Sequence, residues 1–122
     1  MSSTLYPIYS GRGDLAAFLA FPFVYNQGGE WIGWVSSERK VYSVHGQYVG
    51  SLEKGPRILR KLSDGFDQPR QRPPLKPPKI NVPSMAPLAP LMAELSNGVI
   101  DVLESAPELL PTLDAGERED LD

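Results

Sequence analysis

The apolar residues in the first half of the chain recur in a fixed order with tyrosine and glycine. Each of three copies has an aliphatic residue and a tyrosine, a glycine four residues later, a small residue four further on, and a closing aliphatic residue. The tyrosines are Tyr9, Tyr25 and Tyr42, which are 16 and 17 residues apart. That spacing fits a hairpin of two short strands, and the Val, Ile, Tyr and Trp residues of the copies favour strands. A fixed repeat of this kind predicts an all-β fold of short hairpins.

The glycines of the repeat fall into two groups with different expected roles. Gly29 and Gly46 lie where a tight connection needs a positive φ, and Gly13 holds the same place in the first copy. Gly33 and Gly50 lie inside the outgoing strands, where glycine allows a neighbouring backbone or ring to approach closely. The three tyrosines and these five glycines form the predicted structural repeat.

A fourth copy is incomplete. Ile58 and Leu59 occupy the place of the aliphatic residue and the tyrosine, but Gly65 comes late and no outgoing strand is evident. We consider an N-terminal strand at Leu5 and Tyr6 as one way to complete this unit. Closing a ring with strands from both ends of the hairpin region would cover edges that otherwise invite aggregation.

The chain changes character after residue 66. Eight prolines within residues 67–90 predict an extended, polyproline-like tether. Apolar residues at a spacing of three or four then predict one face of a helix that ends before Pro107, and this pattern allows a short C-terminal helix. Five acids among residues 114–122 are typical of a disordered end. The predicted organisation is therefore a repeat domain at 1–66, a proline-rich tether at 67–90 and an acidic tail at 91–122.

The succession IYSGRGDLAAFL, FVYNQGGEWIGWV, KVYSVHGQYVGSL and PRILRKL resembles the bacterial 4-fold β-flower domain. The following stretch RPPLKPPKINVPSMAPLAPL is similar to the proline-rich tails of that family. The resemblance covers residues 5–90 and implies four β-hairpins around a pseudo-fourfold axis. It brings no catalytic or ligand-binding residue that could be assigned here, and the acidic segment from Met92 onward departs from the family pattern.

The composition argues against several kinds of chemistry. Cysteine is absent, so there is no disulfide, thiol nucleophile or thiolate metal site. The single histidine, His45, lies in a predicted turn without other ligands, whereas a metal site needs three or four. We therefore expect no enzymatic activity, metal or cofactor. No export leader or apolar run of about 20 residues is present, so we expect a cytoplasmic protein without a membrane span.

Charge is distributed unevenly along the chain. Counting Lys and Arg against Asp and Glu gives +2 for residues 1–66, +3 for residues 67–85 and −8 for residues 86–122. The basic run could contact phosphates, but the acidic end would compete for the same cations, which disfavours nucleic-acid binding. The two segments could instead pair within one molecule, with another copy or with a partner, or remain independent.

The sequence hypothesis is a non-enzymatic protein-interaction or scaffold module whose tail binds a protein partner or a second copy. The apolar face of the predicted helix would make this contact through Leu88, Leu91, Met92, Leu95, Val99, Val102 and Leu103. Pro74 to Lys79 also fit a PxxP pattern, which a stiff spacer explains equally well. The alternative is a module that binds a small molecule or carbohydrate at the axial face of the hairpins.

Overall fold

The computed structural model describes residues 5–53, 56–64, 68–91 and 93–113. Met92 and the acidic end at 114–122 therefore lie outside the described residues. Within the described residues, eight strands form one antiparallel sheet in which every strand pairs with the next one along the chain. The strands are β1 Tyr6–Tyr9, β2 Leu15–Ala20, β3 Phe23–Tyr25, β4 Trp31–Val35, β5 Lys40–Ser43, β6 Tyr48–Glu53, β7 Arg57–Lys61 and β8 Val99–Asp101. The helix α1 Val102–Ser105 and a 3-10 turn Pro107–Leu109 follow.

The first three hairpins have the same local geometry. Their turns contain Gly13, Gly29 and Gly46 at φ of 86°, 81° and 84°, values that a residue with a Cβ rarely adopts. The pairing register shifts in each hairpin next to the repeat tyrosine, as between Val24 and Tyr25. The repeated sequence therefore produces three equivalent hairpins, each with an irregularity at the same place.

The repeat also builds the core. The aliphatic residue of each copy has no exposed surface, and these residues are Ile8, Val24, Val41 and Ile58. They pack in one cluster with side chains that follow β8, including Val102 and Leu110. The C-terminal residues therefore contribute to the same core as the hairpins.

Gly33 and Gly50 lie where a neighbouring strand passes close to the backbone. A Cβ on Gly33 would meet the carbonyl oxygen of Tyr42, and one on Gly50 would meet that of Leu59. Both oxygens belong to the strand that begins the next hairpin. These two glycines thus allow adjacent hairpins to pack closely.

The suggested completion of the fourth hairpin by the N-terminal strand is wrong. Tyr6 lies in β1, which pairs with β2 in the first hairpin. The fourth hairpin is completed by β8, whose residues pair with β7 as Leu59 with Asp101 and Lys61 with Val99. The missing outgoing strand comes from beyond the proline-rich segment, and no local pattern links it to β7.

The long amphipathic helix predicted from the apolar spacing is also wrong. The described residues between Leu88 and Gly98 are not helical, and Val99–Asp101 is a strand. The helix is limited to Val102–Ser105, with Asp101 as its N-cap. Proline and the pairing with β7 override the helical spacing, which leaves only the short C-terminal helix that the pattern allowed.

Candidate interaction surface

The described residues of 68–98, called here the belt, run along the hairpin turns in the order third, second, first and fourth. The Gln71 N–H donates to the Gly46 carbonyl at 2.8 Å, and the Ile80 N–H donates to the Gly29 carbonyl at 3.1 Å. Farther on, the Gly98 carbonyl accepts from the Leu62 N–H at 2.6 Å. The belt thus passes the third, second and fourth hairpins at residues 71, 80 and 98.

The first and fourth hairpins also contact the belt through side chains. The Tyr9 hydroxyl donates to the Pro87 carbonyl at 2.6 Å, and the methyl group of Ala89 lies 3.6 Å from where a Cβ of Gly13 would be. In the fourth hairpin, Arg57 donates from Nη2 to the Ala93 carbonyl at 2.6 Å. The belt contacts nearest to the four turns therefore fall at residues 71, 80, 89 and 98, nine residues apart.

Burial along the belt follows a period of three. The half-buried or buried side chains include Pro74, Pro77, Ile80, Ala86, Ala89 and Leu95, with Pro83 exposed and Met92 not described in the same series. A polyproline II helix has three residues per turn, so every third side chain lies on one side. The inner side of the belt therefore contacts the hairpins, and the PxxP prolines Pro74 and Pro77 belong to it.

A second series of every third residue includes three exposed apolar side chains. Met85, Leu88 and Leu91 are 81%, 97% and 104% exposed. No charged residue occurs between Lys79 and Glu94, which are also exposed and belong to the same series. We call Met85, Leu88 and Leu91 the outer stripe. Half-buried Val82 also falls in this series.

The structure divides the apolar residues whose spacing predicts one partner-binding face. Leu88 and Leu91 are exposed, whereas Leu95, Val99 and Leu103 are half-buried. Val102 has no exposed surface and packs in the core, so its assignment to a partner contact is wrong. A binding role for the other described residues stays a prediction.

Two buried charged residues, Asp101 and Arg57, lie where the belt leads into β8. Asp101 is 1% exposed, and its Oδ1 accepts the Glu104 N–H at 3.2 Å. Its Oδ2 and the Nε of Arg57 have no hydrogen-bond partner among the described residues. Burial raises the pKa of Asp101, although the Glu104 N–H and the nearby Arg57 act in the opposite direction. No pattern in the sequence indicates that these two residues are buried.

Replacing Asp101 is expected to reduce the amount by which the free energy of unfolding falls as the pH rises from acid to neutral. Because the folded-state pKa is raised, the contribution of Asp101 is fully present below its unfolded pKa and is lost as pH rises through the folded pKa. Asp101→Asn keeps a capping oxygen but does not ionise. In urea unfolding, the free energy of unfolding of this variant should rise relative to that of the wild type from pH 4 to pH 7.5. An equal pH dependence in both proteins would contradict the expectation, and Glu38→Gln at an exposed position is the control.

A cleft of about 620 Å³ lies beside the third and fourth hairpins. Its lining includes Tyr48, Arg60, Lys61 and the belt residue Glu94. The Arg60 guanidinium lies 5.6 Å from the centre of the Tyr48 ring and donates to the Val49 carbonyl at 2.9 Å. Burial and the Asp64 carboxylate raise the pKa of Tyr48, so its hydroxyl remains protonated at neutral pH. The cleft lies in the size range of small-molecule sites.

The described part of the chain contains no group of three or more His, Asp or Glu residues arranged to hold a metal ion. His45 is exposed in the turn of the third hairpin. The search of the same residues finds no helix with the length and apolar character needed to cross a membrane.

In the part of the chain that the structure describes, eight strands in four hairpins, with a belt that contacts each hairpin, define a small repeat protein of the all-β class. The family model of the 4-fold beta flower protein matches residues 6–98, and the chain belongs to this family. The matched region includes the belt, whereas the predicted boundary at residue 66 stays a prediction. No curated protein and no solved structure matches the chain.

Proposed function

We propose that this protein is a non-enzymatic interaction or scaffold module that binds another protein through the outer stripe of its belt. The single observation that carries the proposal is the exposure of Met85, Leu88 and Leu91 on a segment whose backbone is bonded to the hairpins on both sides. Contiguous exposed apolar side chains are typical of protein interaction sites.

The fixed backbone favours binding. The Ile80 N–H, the Pro87 carbonyl and the Ala93 carbonyl each have a hydrogen bond to a hairpin. A partner therefore meets a segment that is already ordered. Less conformational entropy of the belt is lost on binding than if the belt were a free chain. The flower is the scaffold in this proposal, and the belt is the binding element.

Replacing Leu88 and Leu91 with serine is expected to abolish partner binding without unfolding the protein, because both side chains are exposed. Affinity capture from a lysate of the native host would compare the full chain with this variant. A partner should be depleted at least about tenfold, which corresponds to about 1.4 kcal/mol.

The matched control replaces Phe21 and Leu62 with serine, since these side chains are 62% and 64% exposed and lie outside the belt. The control should retain the partner. Equal recovery of the same proteins by the wild type and both variants would overturn the proposal.

A second candidate function is the binding of a small molecule or carbohydrate. The cleft beside Tyr48 and Arg60 favours it, because its volume suits such a ligand and an aromatic ring lies next to polar groups. A ligand bound there would raise the melting temperature of the full chain, and Tyr48→Ala would remove that rise.

A further inference from the structure

We propose that the acidic residues 114–122 bind the chain's own basic arc, which is formed by the exposed belt cations Arg70, Arg72, Lys76 and Lys79. The inference goes beyond the proposed function, because it uses no side chain of the outer stripe. It commits to the acidic segment of the same molecule, and the segment of a second copy is an alternative outcome of the test.

The position of the last described residue carries the inference. Leu113 lines a cleft of about 210 Å³ together with Lys76 and Lys79. It also packs against the cluster that contains the buried Trp31 of the second hairpin, so its place beside the belt is fixed by the core. Asp114 follows directly in the sequence. The acidic segment therefore begins beside two cations of the basic arc.

The charges of the two segments are complementary. Residues 68–79 contain the four cations of the basic arc and no acid, whereas residues 114–122 contain five acids and one arginine. Within the described residues, none of the four cations forms an ion pair. Glu30 also lines the cleft, and its carboxylate accepts the Asn26 Nδ2 at 3.5 Å. One acid against two lysines leaves an excess of positive charge where the acidic segment begins.

The acidic segment is long enough to follow the whole arc. Charge favours the direction from Lys79 to Arg70, because residues 80–93 on the other side of the cleft contain no charged residue. Nine residues of extended chain reach about 30 Å. Polyproline II rises about 3.1 Å per residue, which places Arg70 at most about 28 Å from Lys79. Acids along the segment can therefore approach every cation of the arc.

The attachment of the segment compensates for the weakness of each contact. A single exposed ion pair contributes little to binding. A short tether, however, holds the two groups at an effective concentration on the order of millimolar, so several weak pairs can form together at low salt. While bound, the segment occupies the cations that an external polyanion would contact. The acidic segment therefore shields the belt from nucleic acid.

A nitroxide spin label at residue 121 of the full chain tests the contact. The chain has no cysteine, so Leu121→Cys provides a single labelling position without removing an acid. In NMR spectra of the isotope-labelled protein at low salt, the nitroxide should broaden the amide signals of Arg70, Arg72 and Lys76. Salt at about 1 M should largely remove this broadening, because it shortens the Debye length to about 3 Å.

Charge variants of the labelled protein identify the binding site. Replacing Lys76 and Lys79 with glutamine should reduce the broadening at Arg70 and Arg72. The matched control replaces Lys40 and Lys61, two exposed lysines of the hairpins, and should leave it unchanged. All four lysines are exposed, so both variants should fold like the wild type. Broadening that is insensitive to salt, or equal in both variants, overturns the proposal.

Two further measurements test the same-molecule contact and its consequence. In a mixture of spin-labelled copies with isotope-labelled copies that have no nitroxide, broadening of the arc would assign the contact to a second copy and overturn the proposal. Shielding is tested with a fluorescent oligothymidine at low salt. The full chain with Asp114→Asn, Glu117→Gln and Glu119→Gln should bind it severalfold more tightly than the wild type. Equal binding, or no binding by either protein, overturns the shielding.

Discussion

A chain that ends after Phe66 is expected to lose the cooperative fold of the full protein. It lacks β8, which completes the fourth hairpin, together with the buried side chains Val102 and Leu110. Burying two aliphatic side chains contributes about 3–6 kcal/mol, and the whole stability of a small domain is about 5–15 kcal/mol. The truncation also leaves β7 without its partner strand.

Thermal unfolding followed by circular dichroism would measure this effect. The control is a chain ending at Leu113, which retains every contact described above and should unfold cooperatively like the full protein. A 1–66 chain that melts cooperatively within a few degrees of the full chain would show that the first seven strands fold without β8. If the expectation holds, partner binding must be tested with point substitutions, since removing the tail also removes part of the core.

The three complete hairpins could be predicted from sequence because each is encoded locally. Tyrosine, turn glycine and strand glycine recur at fixed spacing, and the structure places Gly29 and Gly46 at positive φ in equivalent turns. The fourth hairpin has no such signal. Its second strand, Val99–Asp101, is brought to β7 by the belt, and the pairing depends on contacts between distant parts of the chain.

The outer stripe shows why the same apolar pattern also predicts a helix. Leu88 and Leu91 are three residues apart, a spacing that fits both an α-helix and a polyproline II helix. Pro87 and Pro90 distinguish the two, because proline in a helix interior removes a hydrogen bond and clashes with the preceding turn. The residues that anchor the belt, Tyr9 and Arg57, could be found only from the folded structure, since one is a repeat tyrosine and the other a strand cation.

The close approach of adjacent hairpins makes Gly50 sensitive to the smallest substitution. A Cβ at this position would overlap the Leu59 carbonyl oxygen, which is part of the strand backbone and cannot rotate away. Gly50→Ala is therefore expected to lower the free energy of unfolding by about 3 kcal/mol, the upper part of the range for overpacked sites. Gly28→Ala is the matched control, because a Cβ there meets its nearest atom at 3.4 Å, an ordinary contact, and the change should stay within about 0.5 kcal/mol.

Urea unfolding at neutral pH would compare the two alanine variants with the wild type. A large loss for Gly50→Ala alone would establish that the third and fourth hairpins are held by backbone proximity, and that the glycine spacing of the repeat specifies how tightly the flower packs. Unchanged stability would mean that β6 and β7 can separate enough to accept a Cβ, as the first copy of the repeat accepts that of Ala17, which is fully buried. In that case the glycine at this position would not be required for the packing of the hairpins.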